Sequence, residues 1–554
     1  MTQTFPRLTI CLCMSLLLSF SVPAIHLLGQ TSGAAGVDIP LQMNHSPLFG
    51  LDTYLNNQPL QDQRNVVVCS AFNGWLYAAY SYFNHTNFEA AFTVLRSKDS
   101  GVNWSIIING TLGQAHTTFT KLDIKACGMD TVNLKVFVGF CVFDSVNLWH
   151  TALVVRYNGN TGHVEDNILY DEDSWDIRDL ALASDDLYPA GGSAPYSIAV
   201  IYSKWNVHDS IIVRTSGNGG MSFTKRYRIA GSSHYFNKVA LAYGRSPSFP
   251  AGRYFAAWEE KDNANSVSGH IYTAHSEPDF NSPFTTPVLL DSLDPATANK
   301  AGCPVIACQN NDTDNDSANL TELVLFQKYQ PASQNFNIAG VFNKKAATSA
   351  VFSPFSINTT ANNVLQPDVT FNPFDSTFIV TCFDSTDQKL PYYLHEYNMT
   401  DPDAWGGLSA GYNDTGNLVA PHPQVAMDFR KRTGVNVWCG KRENGNGAAM
   451  FDSPYIWYVG TPENPGDPTN QTLKIYPNPA SEFATLEFES AKYENAEIKL
   501  VNSMGQSFPV RNNYSMTAGE NKLRVDISGY APGIYMVVIR SENCLLSGKV
   551  AVAR

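Results

Sequence analysis

Between residues 61 and 460 the chain repeats one plan roughly every 55 residues, a period typical of propellers and other repeat architectures. In each unit a short apolar strand precedes a second strand that ends in polar residues, and a third strand then runs into a turn. The second strands read LYAAYSYFN, VFVGFCVFDS, SIAVIYSKWN, YFAAWEEKDN, ELVLFQKYQ, FIVTCFDSTD and VNVWCGKREN. These seven units predict a seven-bladed β-propeller, because ring closure removes exposed sheet edges.

The first strand of each unit is apolar on both faces, as expected of an inner strand packed between neighbouring blades. These strands read NVVVCSAF, LDIKACG, IRDLALAS, NKVALAYG, PVIACQN, QPDVTFNP and HPQVAMDF, and several begin near a proline or asparagine. Residues 30–60 precede the first unit, and we expect them to supply a strand that closes the ring.

The third strands of the first three units end in similar turns. The first turn contains Ser97, Asp99, Gly101 and Trp104, and an Arg precedes all three turns, at Arg96, Arg156 and Arg214. The second unit has Asn158, Asn160 and Gly162 at the corresponding positions and lacks the final aromatic. The third unit has Ser216, Asn218, Gly220 and Phe223, with Asn in place of Asp. Asp, Asn and Gly supply the side-chain bonds and positive φ that a tight turn needs.

These turns resemble the Asp-box of sialidase-type propellers. The resemblance implies that the acidic side chain caps its own hairpin, that the aromatic packs between blades, and that the box lies away from the central site. It therefore bears on the fold and carries no catalytic information.

Residues 461–471 are rich in proline and glycine and form a predicted linker. Residues 472–554 then alternate in short segments that predict a small β-sandwich. The predicted fold class is thus all-β, a seven-bladed propeller followed by a C-terminal sandwich.

Motifs in this last segment resemble the C-terminal sorting domain of the type nine secretion system of Bacteroidota. They are Tyr476, Pro477, Asn478 and Pro479, then VNSMGQ, then DISGYAPGIYMVVIR with Gly533 and Tyr535, and a closing Lys549. The resemblance implies the secretion machinery as a partner and delivery to the medium or the cell surface, where such proteins are released or tethered to glycolipid.

The first 29 residues read as a signal peptide, with Arg7 before an apolar run, and predict passage through the periplasm. No later stretch approaches the roughly 20 apolar residues of a membrane helix. The net charge of −13 argues against nucleic acid as a partner. Export permits disulfides, and Cys127 with Cys141, on consecutive predicted strands, is the favoured pair.

A sialidase site needs three arginines to hold a carboxylate, and the motif that carries the first of them in sialidases is absent here. Arg64 has the wrong sequence context for it. The other arginines considered match no position of the family; they are Arg253, Arg430, Arg432 and Arg442. Glu259, Glu260 and Asp384 lie at strand ends and are candidate acid/base residues, with a solvated strand end as the alternative. Neighbouring Glu259 and Glu260 point to opposite faces of a strand, so they cannot act on one bond together.

Asp312, Asp314 and Asp316 alternate as in calcium loops, although Ser317 stands where glycine is needed, and a solvated acidic loop is the alternative. The histidines are scattered, and no cofactor motif is present. We therefore predict an exported or surface recognition module that binds glycan or protein where the blade loops converge. The alternative is a glycosidase-type hydrolase or lyase with carboxylates in the central pocket.

Overall fold

The computed structural model describes residues 52–553 except for a set of internal positions. Those positions are 129–133, 174–176, 186–195, 205–208, 233, 248, 264–268, 278–283, 292–300, 311–319, 331–332, 347–350, 358–361, 375, 397–405, 409–410, 414–417, 419–420, 455–472, 491–492, 503–506 and 542–544. Every element of regular secondary structure in the described part is a β-strand.

The chain begins with a short strand, β1 (Thr53–Tyr54), and then builds sheets of four consecutive strands. Sheet 1 contains β2 (Arg64–Ser70), β3 (Leu76–Asn84), β4 (Glu89–Ser97) and β5 (Ser105–Ala115). Sheet 2 contains β6 (Thr117–Cys127), β7 (Lys135–Asp144), β8 (Trp149–Asn158) and β9 (Val164–Asp173). Sheet 3 contains β10 (Ile177–Ser184), β11 (Ile198–Lys204), β12 (Asp209–Ser216) and β13 (Lys225–Ser232).

The next three sheets follow the same order. Sheet 4 contains β14 (Tyr235–Ser246), β15 (Phe249–Lys261), β16 (His270–His275) and β17 (Val288–Leu289). Sheet 5 contains β18 (Ala301–Cys308), β19 (Glu322–Gln330), β20 (Asn335–Asn343) and β21 (Ser353–Ser356). Sheet 6 contains β22 (Val364–Asn372), β23 (Thr377–Asp384), β24 (Tyr392–Glu396) and β25 (Gly406–Leu408).

Sheet 7 combines both ends of this region, because its outer strand is β1. Its other strands are β26 (Gln424–Asp428), β27 (Thr433–Lys441) and β28 (Gly447–Asp452). Strand β1 pairs antiparallel with β28, with Thr53 opposite Phe451 and Tyr54 opposite Met450. The sheet therefore has four strands only because an N-terminal segment completes it.

The seven sheets succeed one another as a ring. The first strand of each sheet contacts the first strands of the sheets before and after it, and β2 also contacts β26. Apolar clusters fill the spaces between neighbouring sheets, with Trp258 and Trp438 fully buried among them. These first strands are therefore the innermost strands of a closed series.

The buried side chain of Gln63 reinforces the closure. Its Oε1 accepts from the Ala449 backbone N–H at 2.8 Å, and its Nε2 donates to the Asn56 carbonyl at 3.1 Å. Arg442 donates to Asn57 Oδ1 at 2.9 Å, and its guanidinium lies over the ring of Tyr54 at 4.5 Å. The N-terminal segment is thus bound to sheet 7 by side chains as well as by backbone pairing.

Antiparallel pairing within each sheet gives the ring two different ends. The end of the ring at which each innermost strand begins is called the upper end. The second strand of each sheet runs antiparallel to the first and ends there, so the turns between second and third strands also lie at the upper end. The lower end carries the turns between third and fourth strands, which include the three Asp-box sequences. The two ends present separate sets of turns.

The C-terminal region forms two further antiparallel sheets around one apolar core, which includes Leu486, Ile498, Val537 and Val550. One sheet contains β29 (Lys474–Tyr476), β30 (Phe483–Ser490) and β33 (Gly519–Asp526). The other contains β31 (Glu494–Asn502), β32 (Ser507–Met516), β34 (Gly533–Arg540) and β35 (Leu545–Val552).

The all-β class expected from the sequence is confirmed, and each second strand expected from it overlaps the second strand of one sheet. The favoured disulfide is wrong, since neither Cys127 nor Cys141 is in a disulfide. The register explains why: Cys127 pairs with Lys135 at the end of β6, whereas Cys141 pairs with Lys121, six positions earlier in that strand.

Replacing Gln63 by Leu tests the closure. The change removes the acceptor for the Ala449 N–H and the donor to Asn56 without emptying the site, so we expect the free energy of unfolding to fall by about 2–4 kcal/mol. Urea denaturation followed by tryptophan fluorescence measures it. The matched control is exposed Gln58→Ala, expected within about 0.5 kcal/mol of the parent; equal stability of both variants would contradict the role of Gln63.

Candidate functional site

The first Asp-box turn at the lower end is held by its own side chains. Ser97 Oγ donates to Asp99 Oδ1 at 2.7 Å and accepts from the Gly101 N–H at 2.8 Å. Asp99 Oδ1 also accepts from the Asn103 N–H at 2.9 Å. The carboxylate is thus fully engaged in capping the hairpin.

The third unit repeats this network atom for atom. Ser216 Oγ donates to Asn218 Oδ1 at 2.7 Å and accepts from the Gly220 N–H at 3.0 Å, and Asn218 Oδ1 accepts from the Ser222 N–H at 3.1 Å. In the second unit the capping side chain is Asn158, whose Oδ1 accepts from the N–H groups of Asn160 and Thr161. In this turn the cap is therefore Asn158, the last residue of β8, and not Asn160.

The box residues also pack between sheets. Trp104 meets Phe451 of sheet 7 edge-on, with ring centroids 5.2 Å apart, and Phe223 belongs to the core shared by sheets 2 and 3. A Cβ added to Gly101, whose φ is +87°, would lie 2.0 Å from the ring of Phe451. Glycine is required there for both conformation and space.

Arginines before the turns connect neighbouring sheets at the lower end. Arg96 of sheet 1 donates to the Gly159 carbonyl of sheet 2 at 3.1 Å, and Arg156 of sheet 2 donates to the Gly219 carbonyl of sheet 3 at 3.4 Å. Arg430 of sheet 7 donates in the same way to the Lys98 carbonyl of sheet 1. These contacts are structural, and they occupy the lower end.

The carboxylates suggested by sequence already have ionic or hydrogen-bond partners. Glu259 is buried, 3.4 Å from Lys261 Nζ, and accepts from Asn237 and from the Cys303 N–H of sheet 5. Glu260 points elsewhere and lies 2.6 Å from His234 Nδ1.

Asp384 is the third suggested carboxylate, and it caps a turn. Its Oδ1 accepts from the N–H groups of Thr386 and Asp387, and its Oδ2 accepts from Asn362 at 2.6 Å. The structure therefore does not bring Asp384 together with Glu259 and Glu260 as one acid/base group.

The arginines considered for a carboxylate clamp are also dispersed. Arg64 pairs with Asp62 at 3.0 Å, and Arg253 contacts His275 Nδ1 at 2.9 Å. Arg432 lies over the Phe374 ring, while Arg430 and Arg442 make the sheet contacts given above. Arg64 and Arg253 lie in sheets 1 and 4, and the three arginines of sheet 7 contact different groups, so the five do not form a three-arginine clamp.

The upper end has a different construction, in which the innermost strands of sheets 1–6 are bulged near their beginnings. Positive φ angles occur at Asn65, Cys303 and Gln366 in these bulges, and at His422 just before β26. Bulges re-aim side chains and are frequent next to functional sites. Here they place polar residues at the mouth of the ring.

We call the ionisable residues at these positions the axial cluster; it comprises Lys121, Asp123, Asp179, Lys238, Asp368 and His422. Three of its carboxylates each accept a backbone N–H from the innermost strand of the next sheet. Asp123 accepts from Leu182 at 2.7 Å, Asp179 from Val239 at 3.1 Å and Asp368 from Val425 at 2.8 Å. One oxygen of each carboxylate is thus committed to joining sheets.

Charges from five sheets act on one another in this cluster. Lys121 Nζ lies 3.4 Å from Asp179 Oδ1; burial alone lowers the pKa of Lys121, but Asp179 and Asp123 raise it above its ordinary value. Burial raises the pKa of Asp368 to about 7, against the lowering effect of the Val425 N–H.

The cationic members of the cluster affect His422. Enclosure by the surrounding chain and the positive charges of Lys238 and Lys121 lower the pKa of His422 to about 4. His422 is therefore neutral at physiological pH, and its backbone N–H donates to Gln366 Oε1 at 3.1 Å. The cluster presents cations, carboxyl groups and neutral polar groups to one space, a set that can bind hydroxyl-rich or charged ligands and can exchange protons.

Sequence reasoning missed the axial cluster, whose members are separated by up to 301 positions and share no motif. One signal was present: Cys303, Gln366 and His422 each precede a proline at the start of an innermost strand. A proline cannot donate to a sheet ladder and therefore marks a bulge or strand start.

The possible calcium ligands Asp312, Asp314 and Asp316 lie outside the described residues, as do the signal peptide and the linker. Among described residues, no group of three or more His, Cys, Asp or Glu side chains is arranged to hold a metal ion. The part of the chain that the structure describes also has no helix long and apolar enough to cross a membrane.

The sorting-domain residues lie close together in the C-terminal sheets. Asn478 Nδ2 donates to the Lys549 carbonyl at 2.8 Å, and Asn478 Oδ1 accepts from the Ala551 N–H at 2.8 Å. Tyr535 is buried and donates to the Ala531 carbonyl at 3.0 Å. The spaced motifs are thus parts of one packed unit.

Residues 474–553 match the family described as the secretion system C-terminal sorting domain. The sorting domain inferred from the motifs is confirmed, and it implies a secreted or cell-surface protein. No curated protein is significantly similar to the chain.

Several solved structures are similar to much of the chain. An α-L-arabinofuranosidase of Fusarium graminearum in complex with arabinobiose has a TM-score of 0.43 at 10% identity, covering 73% of this chain and 98% of its own. An α-L-arabinanase of Penicillium chrysogenum has 0.39 at 9%, covering 75% and 98%. The endosialidase of phage phi92 has 0.38 at 8%, covering 92% and 86%.

Asp368→Asn tests the electrostatics of the axial cluster. Because the pKa of Asp368 is raised in the folded state, the unfolded chain releases this proton first, and stability falls as pH rises from about 4 to about 7. Asparagine keeps an acceptor for the Val425 N–H and removes the charge, so we expect it to recover on the order of 2–4 kcal/mol at pH 8. Urea titrations between pH 4 and 8 measure this, with exposed Asp262→Asn as control; parallel curves for parent and Asp368→Asn would contradict it.

Proposed function

We propose that the ring of sheets is a closed seven-bladed propeller, spanning residues 61–460 and closed by the N-terminal segment, with a sorting sandwich at residues 472–554. In this proposal the propeller is a recognition module of an exported or surface protein. It binds a glycan or protein ligand at the upper end, and the sorting domain delivers it.

The axial cluster is the observation that carries this proposal. Ionisable side chains of sheets 2, 3, 4, 6 and 7 meet at the upper end of the ring, whereas the Asp-box side chains and Arg96 at the lower end cap turns and join sheets. Lys238 is the cluster's cation with no hydrogen bond or ion pair in the described part of the chain, although its charge acts on His422 and Cys303. A half-buried cation without a partner is a natural contact for a ligand oxygen.

A glycosidase-type hydrolase is the second candidate, and Asp368 is the observation that favours it. A carboxyl group with a pKa of about 7 keeps its proton near neutral pH and can act as a general acid, while Asp179 beside Lys121 supplies a second carboxyl group. In that case the acid and base are Asp368 and Asp179 in place of Glu259, Glu260 or Asp384.

Lys238→Met tests the recognition proposal in the full-length protein. We expect at least tenfold weaker binding on glycan and protein arrays, with unchanged thermal stability, because methionine keeps the side-chain volume and removes the charge. Lys225→Met, on the exposed outer strand of sheet 3, is the matched control and should bind like the parent. Parent-like binding by Lys238→Met would contradict the recognition proposal.

Chromogenic glycosides added in the same assay address the second candidate. Turnover that is lost in Asp368→Asn and declines as pH rises above about 7, where Asp368 loses its proton, would establish the hydrolase instead.

A further inference from the structure

Six hairpins of the ring use one kind of turn. In each, a non-glycine residue with positive φ stands immediately before the chain re-pairs. Side chains at the first turn position cap several of them; Asn84 accepts from the Thr86 N–H at 3.0 Å, and Asp144 from the Val146 N–H at 2.8 Å. The positive-φ residues are Phe88, Leu148, Gln334, Ser376, Gln388 and Arg432, with φ between 54° and 58°.

The six positions provide an internal comparison. Four of them carry polar or charged side chains, including Gln334 and Gln388 in the upper turns of sheets 5 and 6. In the upper turns of sheets 1 and 2 the residues are Phe88 and Leu148, which are 57% and 64% exposed. The turn conformation does not require an apolar side chain, so the fold alone does not account for these two.

The two apolar turns are neighbours at the upper end. The His116 N–H donates to the Phe88 carbonyl at 2.6 Å, and Ser145 donates to the His116 carbonyl through its N–H at 3.1 Å and its hydroxyl at 3.0 Å. Val146 and Trp149, in and directly after the second turn, are also exposed, by 65% and 43%. We call Phe88, Val146, Leu148 and Trp149 the apolar rim.

The charged groups in the two turns of the rim are carboxylates that already have hydrogen-bond partners. The carboxylate of Asp144 is occupied by the backbone of its own turn and by Asn147 Nδ2 at 2.8 Å. Glu89 is buried and accepts from Asn87 at 2.9 Å. The two turns contain no lysine or arginine. The rim therefore has no charge with which to select an anionic ligand or membrane.

The size of the rim also limits its ligand. Four half-exposed side chains offer much less than the roughly 800 Å² that each partner of a stable protein complex buries. Exposed apolar patches of this smaller size on monomers are often functional. Aromatic side chains have flat apolar faces, and the C–H faces of a sugar ring are a matching surface of that size.

We propose that the apolar rim is an outer subsite for a neutral glycan chain that extends from the axial cluster across sheets 1 and 2. This inference rests on the proposed recognition function and specifies its ligand class. The rim and the cluster lie at the same end of the ring, so one chain of several sugar units contacts both. The sugar stacks on the rim, and its hydroxyl groups reach the polar residues of the cluster.

The double substitution Phe88→Gln with Leu148→Gln tests the rim, because glutamine already occupies two equivalent turns of this ring. The probes are neutral arabinan, xylan and mannan, with alginate as an acidic polysaccharide and phosphatidylcholine vesicles as a lipid surface. Affinity electrophoresis of the full-length protein gives a dissociation constant for each polysaccharide, and co-sedimentation reports vesicle binding. Met221→Gln, equally exposed in an Asp-box turn of the lower end, is the matched control.

We expect the parent and Met221→Gln to be retarded by at least one neutral polysaccharide, and the double variant to bind it at least tenfold more weakly with an unchanged melting temperature. Neutral-glycan binding that is lost in Lys238→Met but retained in the double variant would overturn the rim and leave the recognition function standing. If the parent protein binds only alginate, or only vesicles, the proposal that the rim is a subsite for a neutral glycan is also overturned. Absence of all polysaccharide binding would overturn the rim together with the glycan form of the proposed function.

Discussion

The pairing of β1 with β28 is the interaction on which the rest of the ring depends. Without it, sheet 7 would have three strands and the outer edge of β28 would be unpaired. The buried side chain of Gln63 and the guanidinium of Arg442 add bonds that pairing of two residues alone does not supply. Closure fixes the seven innermost strands around one axis, so their upper ends converge.

The two ends of the ring then serve different purposes. At the lower end, side chains satisfy the backbone: Ser97 and Asp99 cap a hairpin, and Arg96 reaches the next sheet. At the upper end, bulges bring ionisable groups together, and the pKa values of Asp368 and His422 move away from their ordinary ranges. Perturbed groups of this kind concentrate at functional sites, although ion pairs between sheets produce them too.

The sequence allowed the strands and the turns to be predicted because both are local. Continuous apolar runs locate β3 or β27, and the Ser-x-Asp-x-Gly pattern at Ser97 specifies a turn by the bonds it makes. At the second turn Asn158 and Asn160 are equally suited to capping, and only the backbone path selects Asn158. The axial cluster could not be predicted, because Lys121 and His422 meet only after the ring closes.

The proposed function requires ligand to bind at the upper end. Amide hydrogen exchange of the full-length protein, with and without a saturating neutral polysaccharide, measures whether it does. Binding at the upper end predicts slower exchange at residues 84–89, 116–121, 144–149 and 237–239, and unchanged exchange in the box turns at 97–104 and 216–223. Protection confined to the box turns would contradict it.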